Sequence, residues 1–183
     1  MLEVEVKIKA DIKNTEEELI SLGFLKGTFV YEYDTYYNGD MVDLKETDKA
    51  LRIREHKDID TGKVKYVLNF KGPKIDDSTM SREETQFEIP AFEHGNTVLT
   101  GLGYHPAGNV EKTRIHYHKD DITCCLDNVT GLGGYLEVEI MAEDENAYSE
   151  ALKKISSLLA ELGFSMGDTV RHSYLSMLEA KKA

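Results

Sequence analysis

Two glutamate pairs carry the most pointed chemistry in this chain. Glu3 and Glu5 lie in Leu2-Glu3-Val4-Glu5-Val6-Lys7-Ile8-Lys9, and Glu137 and Glu139 lie in Leu136-Glu137-Val138-Glu139-Ile140. In both stretches aliphatic and charged residues strictly alternate, the period of a β-strand with one greasy and one ionic face. Carboxylates at i and i+2 of a strand sit about 6.6–7 Å apart at their Cα atoms, close enough to share one cation or hold two adjacent ones. Hard oxygen donors of this kind suit Mg²⁺ or Mn²⁺, which keep open positions for water and phosphate oxygens. The opposite charge has the same spacing: Arg52 and Arg54 in Leu51-Arg52-Ile53-Arg54, Lys112 and Arg114 in Val110-Glu111-Lys112-Thr113-Arg114, and Lys65, Asn69 and Lys71 along one side of Lys65 to Lys71. Like charges one pleat apart destabilise a surface sheet, so their repetition implies a counter-ligand: metal for the acids, a polyanion for the bases. Lys7, Arg52, Arg54, Lys71, Lys112 and Arg114 exceed what a monophosphate needs, and a triphosphate fits.

These strands need a frame that turns their ionic faces toward one another. About eight strands are expected, mostly in hairpins. They include Phe29 to Asn38, Leu51 to His56, Lys63 to Lys71, Ser81 to Ile89, Asn109 to His118 and Ile122 to Val129, the last two joined around Lys119-Asp120-Asp121. Three glycine stops followed by an aromatic, Leu22-Gly23-Phe24, Leu102-Gly103-Tyr104 and Leu162-Gly163-Phe164, mark helix ends in a loose strand-then-helix repeat. The spacing predicts a first helix opened by the capping box Thr15-Glu16-Glu17-Glu18, a second from Pro90 and the longest from Asp144. A last helix is predicted from about Arg171 to Lys182. Gly72-Pro73 predicts a strand stop, and Lys74 to Thr79 reads as mobile. If the aliphatic faces pointed inward, the helices would have little to cover. The fold expected is therefore α+β: an eight-stranded antiparallel closed β-barrel, charges lining a water-filled tunnel and helices packed outside.

Bulk numbers set the limits. The chain has 183 residues, 40% hydrophobic and 31% charged, which predicts one domain over 1–183. Its 34 acidic and 22 basic residues leave a formal charge of -12, which argues against a nucleic-acid partner. That balance does not exclude an anionic substrate, because bound cations can invert the sign of a carboxylate-lined site. Adjacent Cys124 and Cys125 form no disulfide framework and predict a reducing, cytoplasmic setting. No apolar run approaches a membrane span, and no secretory h-region opens the chain. His116 and His118 share a strand face without a convincing set of metal partners.

The same residues resemble a known family. Glu3-Val4-Glu5-Val6-Lys7 has the form of the Glu-x-Glu-x-Lys signature of the CYTH, or triphosphate tunnel metalloenzyme, proteins. The likeness continues through Asp34-Thr35-Tyr36-Tyr37, Leu51-Arg52-Ile53-Arg54, Phe70-Lys71-Gly72-Pro73-Lys74 and Ser81-Arg82-x-Glu84. It then takes in Val110-x-Lys112-x-Arg114, Leu126-Asp127-x-Val129, Leu136-Glu137-Val138-Glu139 and Ser173-Tyr174-Leu175. The order of motifs is most similar to class IV adenylyl cyclases of the CyaB type, with thiamine triphosphatases and inorganic triphosphatases as relatives. The resemblance implies Mg²⁺ or Mn²⁺ on Glu3, Glu5, Glu137 and Glu139 with Asp127 near a second ion, and phosphate on Lys7, Arg52, Arg54, Lys71, Arg82, Lys112 and Arg114. Arg171 would close the tunnel from the last helix, and Glu5, Glu139 and Lys7 would carry the chemistry. One departure is Gln86, where relatives tend to have an acid. The function implied is conversion of ATP to cyclic AMP and pyrophosphate. The alternatives are a triphosphatase acting on inorganic triphosphate, thiamine triphosphate or a nucleoside triphosphate, and a non-catalytic polyphosphate- or nucleotide-binding module. A small-molecule triphosphate is the expected partner, with no nucleic acid and no membrane, and a homodimer is a family-level expectation.

Overall fold

The computed structural model describes residues 2–76 and 79–182. Eight strands, β1 (Leu2–Lys9), β2 (Leu25–Gly39), β3 (Ala50–Asp58), β4 (Val64–Lys74), β5 (Arg82–Ile89), β6 (Tyr104–Lys119), β7 (Ile122–Val129) and β8 (Gly133–Ala142), close into one barrel in the order β1-β5-β4-β3-β2-β6-β7-β8. Every pairing is antiparallel. Helices α1 (Ile12–Ser21), α2 (Phe92–Gly101), α3 (Glu145–Glu161) and α4 (Tyr174–Ala180) complete the chain, so the α+β closed-barrel expectation holds.

The barrel is turned as the alternation required. Val4, Val6 and Ile8 of β1 are buried in a cluster with Leu136, Val138 and Ile140 of β8, Leu19 of α1, Ile155 and Leu159 of α3, and Leu162 at the C-cap of α3. Burying such side chains outside the sheet contributes about 1.5–3 kcal/mol each. A second cluster, Tyr37, Leu51, Ile53 and Leu99, fastens α2 over β2 and β3. With apolar residues committed outward, Glu5 and Lys7 face the lumen, and they are also buried. The three glycine stops are real: Gly23, Gly103 and Gly163 adopt φ of +86, +86 and +76°, a region open to glycine at little cost.

Some local expectations are corrected. Helix α1 is capped by Asp11, whose carboxylate accepts from Asn14 N, and Thr15 is buried one turn inside it. Strand β4 runs through Pro73 to Lys74, because the register shift between Lys71 and Lys74 is a bulge that asks no ladder hydrogen bond of proline. Of the stretch expected to be mobile, Asp77 and Ser78 lie outside the described residues, whereas Thr79 is buried. The last helix starts only at Tyr174, capped by Ser173, because Thr169 and Val170 are tied to β1 by a bridge to Ile8 and a 2.7 Å bond from Val170 N to Lys7 O. Arg171 therefore lies in the loop before α4, not on it. Among the described residues no helix is long and apolar enough to cross a membrane.

Candidate active site inside the barrel

The barrel encloses a cavity of about 640 Å³. Glu3, Glu5, Lys7, Arg52, Arg54, Lys71, Arg82, Lys112, Arg114, Glu137, Glu139 and Arg171 all line it. Strand register explains the convergence. Glu5 stands opposite Glu139 and Lys7 opposite Glu137 in the β1–β8 ladder, while Lys71 stands opposite Glu84 between β4 and β5. At one end Tyr174 of α4 packs on Val110, Val129, Leu132 and Tyr135, an apolar floor. The Lys7 ammonium sits 4.2 Å from the centre of the Tyr174 ring.

The basic residues are held by acids from neighbouring strands. Arg54 forks onto Asp34 with Nε–Oδ1 2.7 Å and NH2–Oδ2 2.8 Å, and its NH1 donates to Glu32 at 2.9 Å. Arg52 donates to Asp34 and to the Tyr36 hydroxyl at 3.2 and 3.1 Å. On the neighbouring strands β6 and β7, Asp127 accepts from Arg114 Nε at 2.6 Å, Lys112 Nζ at 2.7 Å and the Tyr174 hydroxyl at 3.0 Å. Arg114 also reaches Glu137, and its NH1 stands 3.6 Å from Glu139. Asp127 is 0% exposed and does not line the cavity; it stands behind the cations and aims them. Arg82 likewise spends its guanidinium on the Gly72, Asp48 and Met80 carbonyls at 3.2–3.4 Å, bracing the rim.

The acids on the β1 side have fewer cations. Lys71 lies near Glu3, Glu84 and Glu5, at 2.7, 2.8 and 3.5 Å, and Lys7 stands 4.0 Å from Glu5. Burial, with Glu5 and Glu139 as like-charged neighbours outweighing Lys71, pushes the Glu3 carboxyl up to about 8. Burial, with Glu137 and Glu5 as neighbours, pushes Glu139 up to about 7 despite Arg114. Burial works against Glu137 too, but there Arg114, Lys7 and Lys112 win and hold it well below the usual carboxylate range. The lumen thus divides into a cation-rich wall already neutralised by its own acids and an acid cluster short of positive charge.

Tests of the metal expectation follow from that division. Among the described residues no group of three His, Cys, Asp or Glu side chains forms a ready cage for a metal ion. Glu3, Glu5 and Glu139 on adjoining strands nonetheless offer hard oxygens in excess of cations, the donor chemistry of an Mg²⁺ or Mn²⁺ that fills its remaining positions with water and phosphate oxygens. The residues fit such an ion.

Several side chains of the site had no role assigned from the sequence. Glu32 and Asp34 have the same i, i+2 spacing as the other acids, but the tyrosines between them, Tyr31-Glu32-Tyr33-Asp34, hide the apolar alternation. His116 lines the cavity, where burial and the nearby Arg114 lower its imidazole to about 4, a neutral wall residue. Cys125, opposite His116 in the ladder, directs its thiol at Glu139.

The family follows from direct comparison: the model of the CYTH domain matches residues 1–174, and the chain belongs to that family. It is 36% identical over 178 residues, 97% of this chain and 98% of the other, to the "Putative adenylate cyclase MJ0240" of Methanocaldococcus jannaschii. It is 26% identical over 148 residues, 81% of this chain and 72% of the other, to "Adenylate cyclase CyaB" of Aeromonas hydrophila. The PH1819 protein of Pyrococcus horikoshii superposes with a TM-score of 0.88 at 33% identity, covering 98% of this chain and 99% of that one. A Hippeastrum protein, described as a "putative adenylyl cyclase" that reveals a dominant triphosphatase activity, shares the fold at TM-score 0.67 and 16% identity, covering 100% and 96% of the two chains.

Proposed function

We propose that this chain is a divalent-cation-dependent enzyme that acts on a triphosphate inside the barrel, and that it cyclises ATP to cyclic AMP and pyrophosphate. The observation that carries the reading is the enclosed acid cluster of Glu3, Glu5 and Glu139 set against the basic wall of Arg52, Arg54, Lys112 and Arg114. Mg²⁺ or Mn²⁺ held by those glutamates would polarise phosphate oxygens and lower the pKa of the attacking hydroxyl. The arginines hold non-bridging phosphate oxygens with paired N–H groups, and Lys7 and Lys71 add point charges between acid cluster and basic wall. Each cation exchanges part of its contact with a lumenal carboxylate for phosphate, which keeps the wall preorganised before substrate arrives. The ribose 3′-oxygen attacks the α-phosphorus, the bond to the β-phosphate bridging oxygen breaks, and pyrophosphate leaves along the wall. The hydroxyl proton passes to a lumenal carboxylate.

Naming among the relatives supports cyclisation. Hydrolysis needs the same lumen with water as the nucleophile and orthophosphate as a product, so product identity separates the two. A module that only binds the anion gains nothing from surplus carboxylates facing it. Incubation with ATP, inorganic triphosphate and thiamine triphosphate in the presence of Mn²⁺, read by phosphorus NMR, is expected to yield cyclic AMP and pyrophosphate from ATP. Orthophosphate without cyclic AMP overturns cyclisation and leaves a triphosphatase; no turnover of any substrate overturns the enzyme.

A further inference from the structure

Among the described residues four buried side-chain polar atoms lack a hydrogen-bond partner; Glu32 Oε2 and Glu84 Oε2 still have Lys112 and Lys71 at 3.5 and 2.8 Å, which leaves Arg52 Nε and Asn69 Oδ1. Asn69 of β4 is 1% exposed, and its Nδ2 donates to Glu84 while its Oδ1 has no hydrogen-bond partner. Arg52, its direct cross-strand neighbour on β3, uses NH1 on Asp34 and Tyr36, and its Nε is likewise unmatched. One is an acceptor and the other a donor, on facing positions of one ladder. Leaving such groups unpaired in a buried wall is costly, and a site that does so is built for a partner. On its other side Asn69 stands opposite Gln86, a second amide in the lumen lining. The two amides, Asn69 and Gln86, form a neutral polar strip beside Lys71 and the acid cluster.

A phosphate oxygen can accept from Arg52 Nε but offers nothing to Asn69 Oδ1. A hydroxyl does both, accepting through its oxygen and donating its proton. We infer that Asn69 and Arg52 form a subsite for a ribose hydroxyl, and that this pair selects nucleoside triphosphates over inorganic triphosphate. The inference rests on the triphosphate reading above and adds to it the organic half of the substrate. Discrimination of this type is strong because the wrong ligand leaves a buried polar group unsatisfied.

The test is a double-mutant cycle between protein and ligand. Isothermal titration with Mn²⁺ measures binding of the α,β-methylene analogues of ATP, 2′-deoxy-ATP and 3′-deoxy-ATP to wild type and to Asn69→Ala, with Asn69→Leu as a near-isosteric second variant. In wild type, loss of one of the two hydroxyls is expected to weaken binding about thirtyfold or more, the scale of one neutral hydrogen bond and one to a charged group together. In both variants that same deletion is expected to cost clearly less than in wild type, because only the bond from Arg52 Nε remains to be lost. Deoxy analogues that bind wild type as well as the parent overturn the subsite while leaving the triphosphate reading intact, and so does an equal loss in wild type and variants, as it would if the two atoms met only water. Failure of wild type to bind any of the analogues overturns both. If neither variant folds, the wild-type arm alone decides.

Discussion

Glu139→Gln is expected to stabilise the metal-free protein, and to do so only where Glu139 would otherwise be ionised. Its carboxyl is moved from 4.5 to about 7 by burial and by Glu137 and Glu5. Because the folded value is raised, the folded state holds the proton more tightly, so stability falls as pH climbs from the unfolded value through the folded one. At about 1.4 kcal/mol per unit, the penalty reaches about 3 kcal/mol at pH 8 and is under about 1 kcal/mol at pH 5. Gln keeps the shape and removes the charge. Urea unfolding in EDTA should therefore place the midpoint of Glu139→Gln on the order of 1 M above wild type at pH 8, given slopes of roughly 1–3 kcal/mol/M, with most of the gap closed at pH 5. A variant no more stable than wild type at pH 8, or shifted equally at both pH values, refutes the idea that the β1–β8 acids repel one another. It would also remove the reason to place a cation there.

Other substitutions separate scaffold from chemistry. Asp127→Asn removes the charge and one of the two acceptor oxygens shared by Lys112, Arg114 and Tyr174 and should destabilise by about 3–5 kcal/mol, read as a lowered urea midpoint even without metal. An unchanged midpoint would make Asp127 dispensable to the wall. Glu5→Gln should abolish turnover with its melting temperature in EDTA unchanged or raised; normal turnover with Mg²⁺ contradicts the metal assignment. Arg54→Ala should raise KM and also lower the melting temperature, because Asp34 and Glu32 lose their main partner. Tyr174→Ala should weaken substrate binding more than Tyr174→Phe, since the ring under Lys7 and the floor of the lumen go with it.

Much of the barrel could be read directly because β1 and β8 state their two faces residue by residue. Val4, Val6 and Ile8 alternating with Glu5 and Lys7 leave a single orientation once helices must be covered. Local propensity misled where tertiary contacts decide. Pro73 looks like a strand terminator, yet a bulge removes the demand for its missing N–H. Arg171 looks like the opening of the last helix, yet the bond from Val170 N to Lys7 O keeps the chain extended up to the Ser173 cap. The motif around Asp127 marked an acid in the site but not its facing. The β6–β7 register puts Asp127 on the same face as Arg114, and only the contacts from Lys112, Arg114 and Tyr174 show that it is covered by the cations. Glu32 escaped notice, and Asp34 entered only as part of a motif with no role, because tyrosine, large and half-polar, blurs the contrast that alternation relies on.

A crystal soaked with Mn²⁺ and a non-hydrolysable triphosphate analogue tests the central claim most directly. An anomalous peak among Glu3, Glu5 and Glu139, with phosphate oxygens on Arg52, Arg54, Lys112 and Arg114, is the result expected. Manganese and analogue bound together on the outer surface, with the lumenal ion pairs intact, would contradict it.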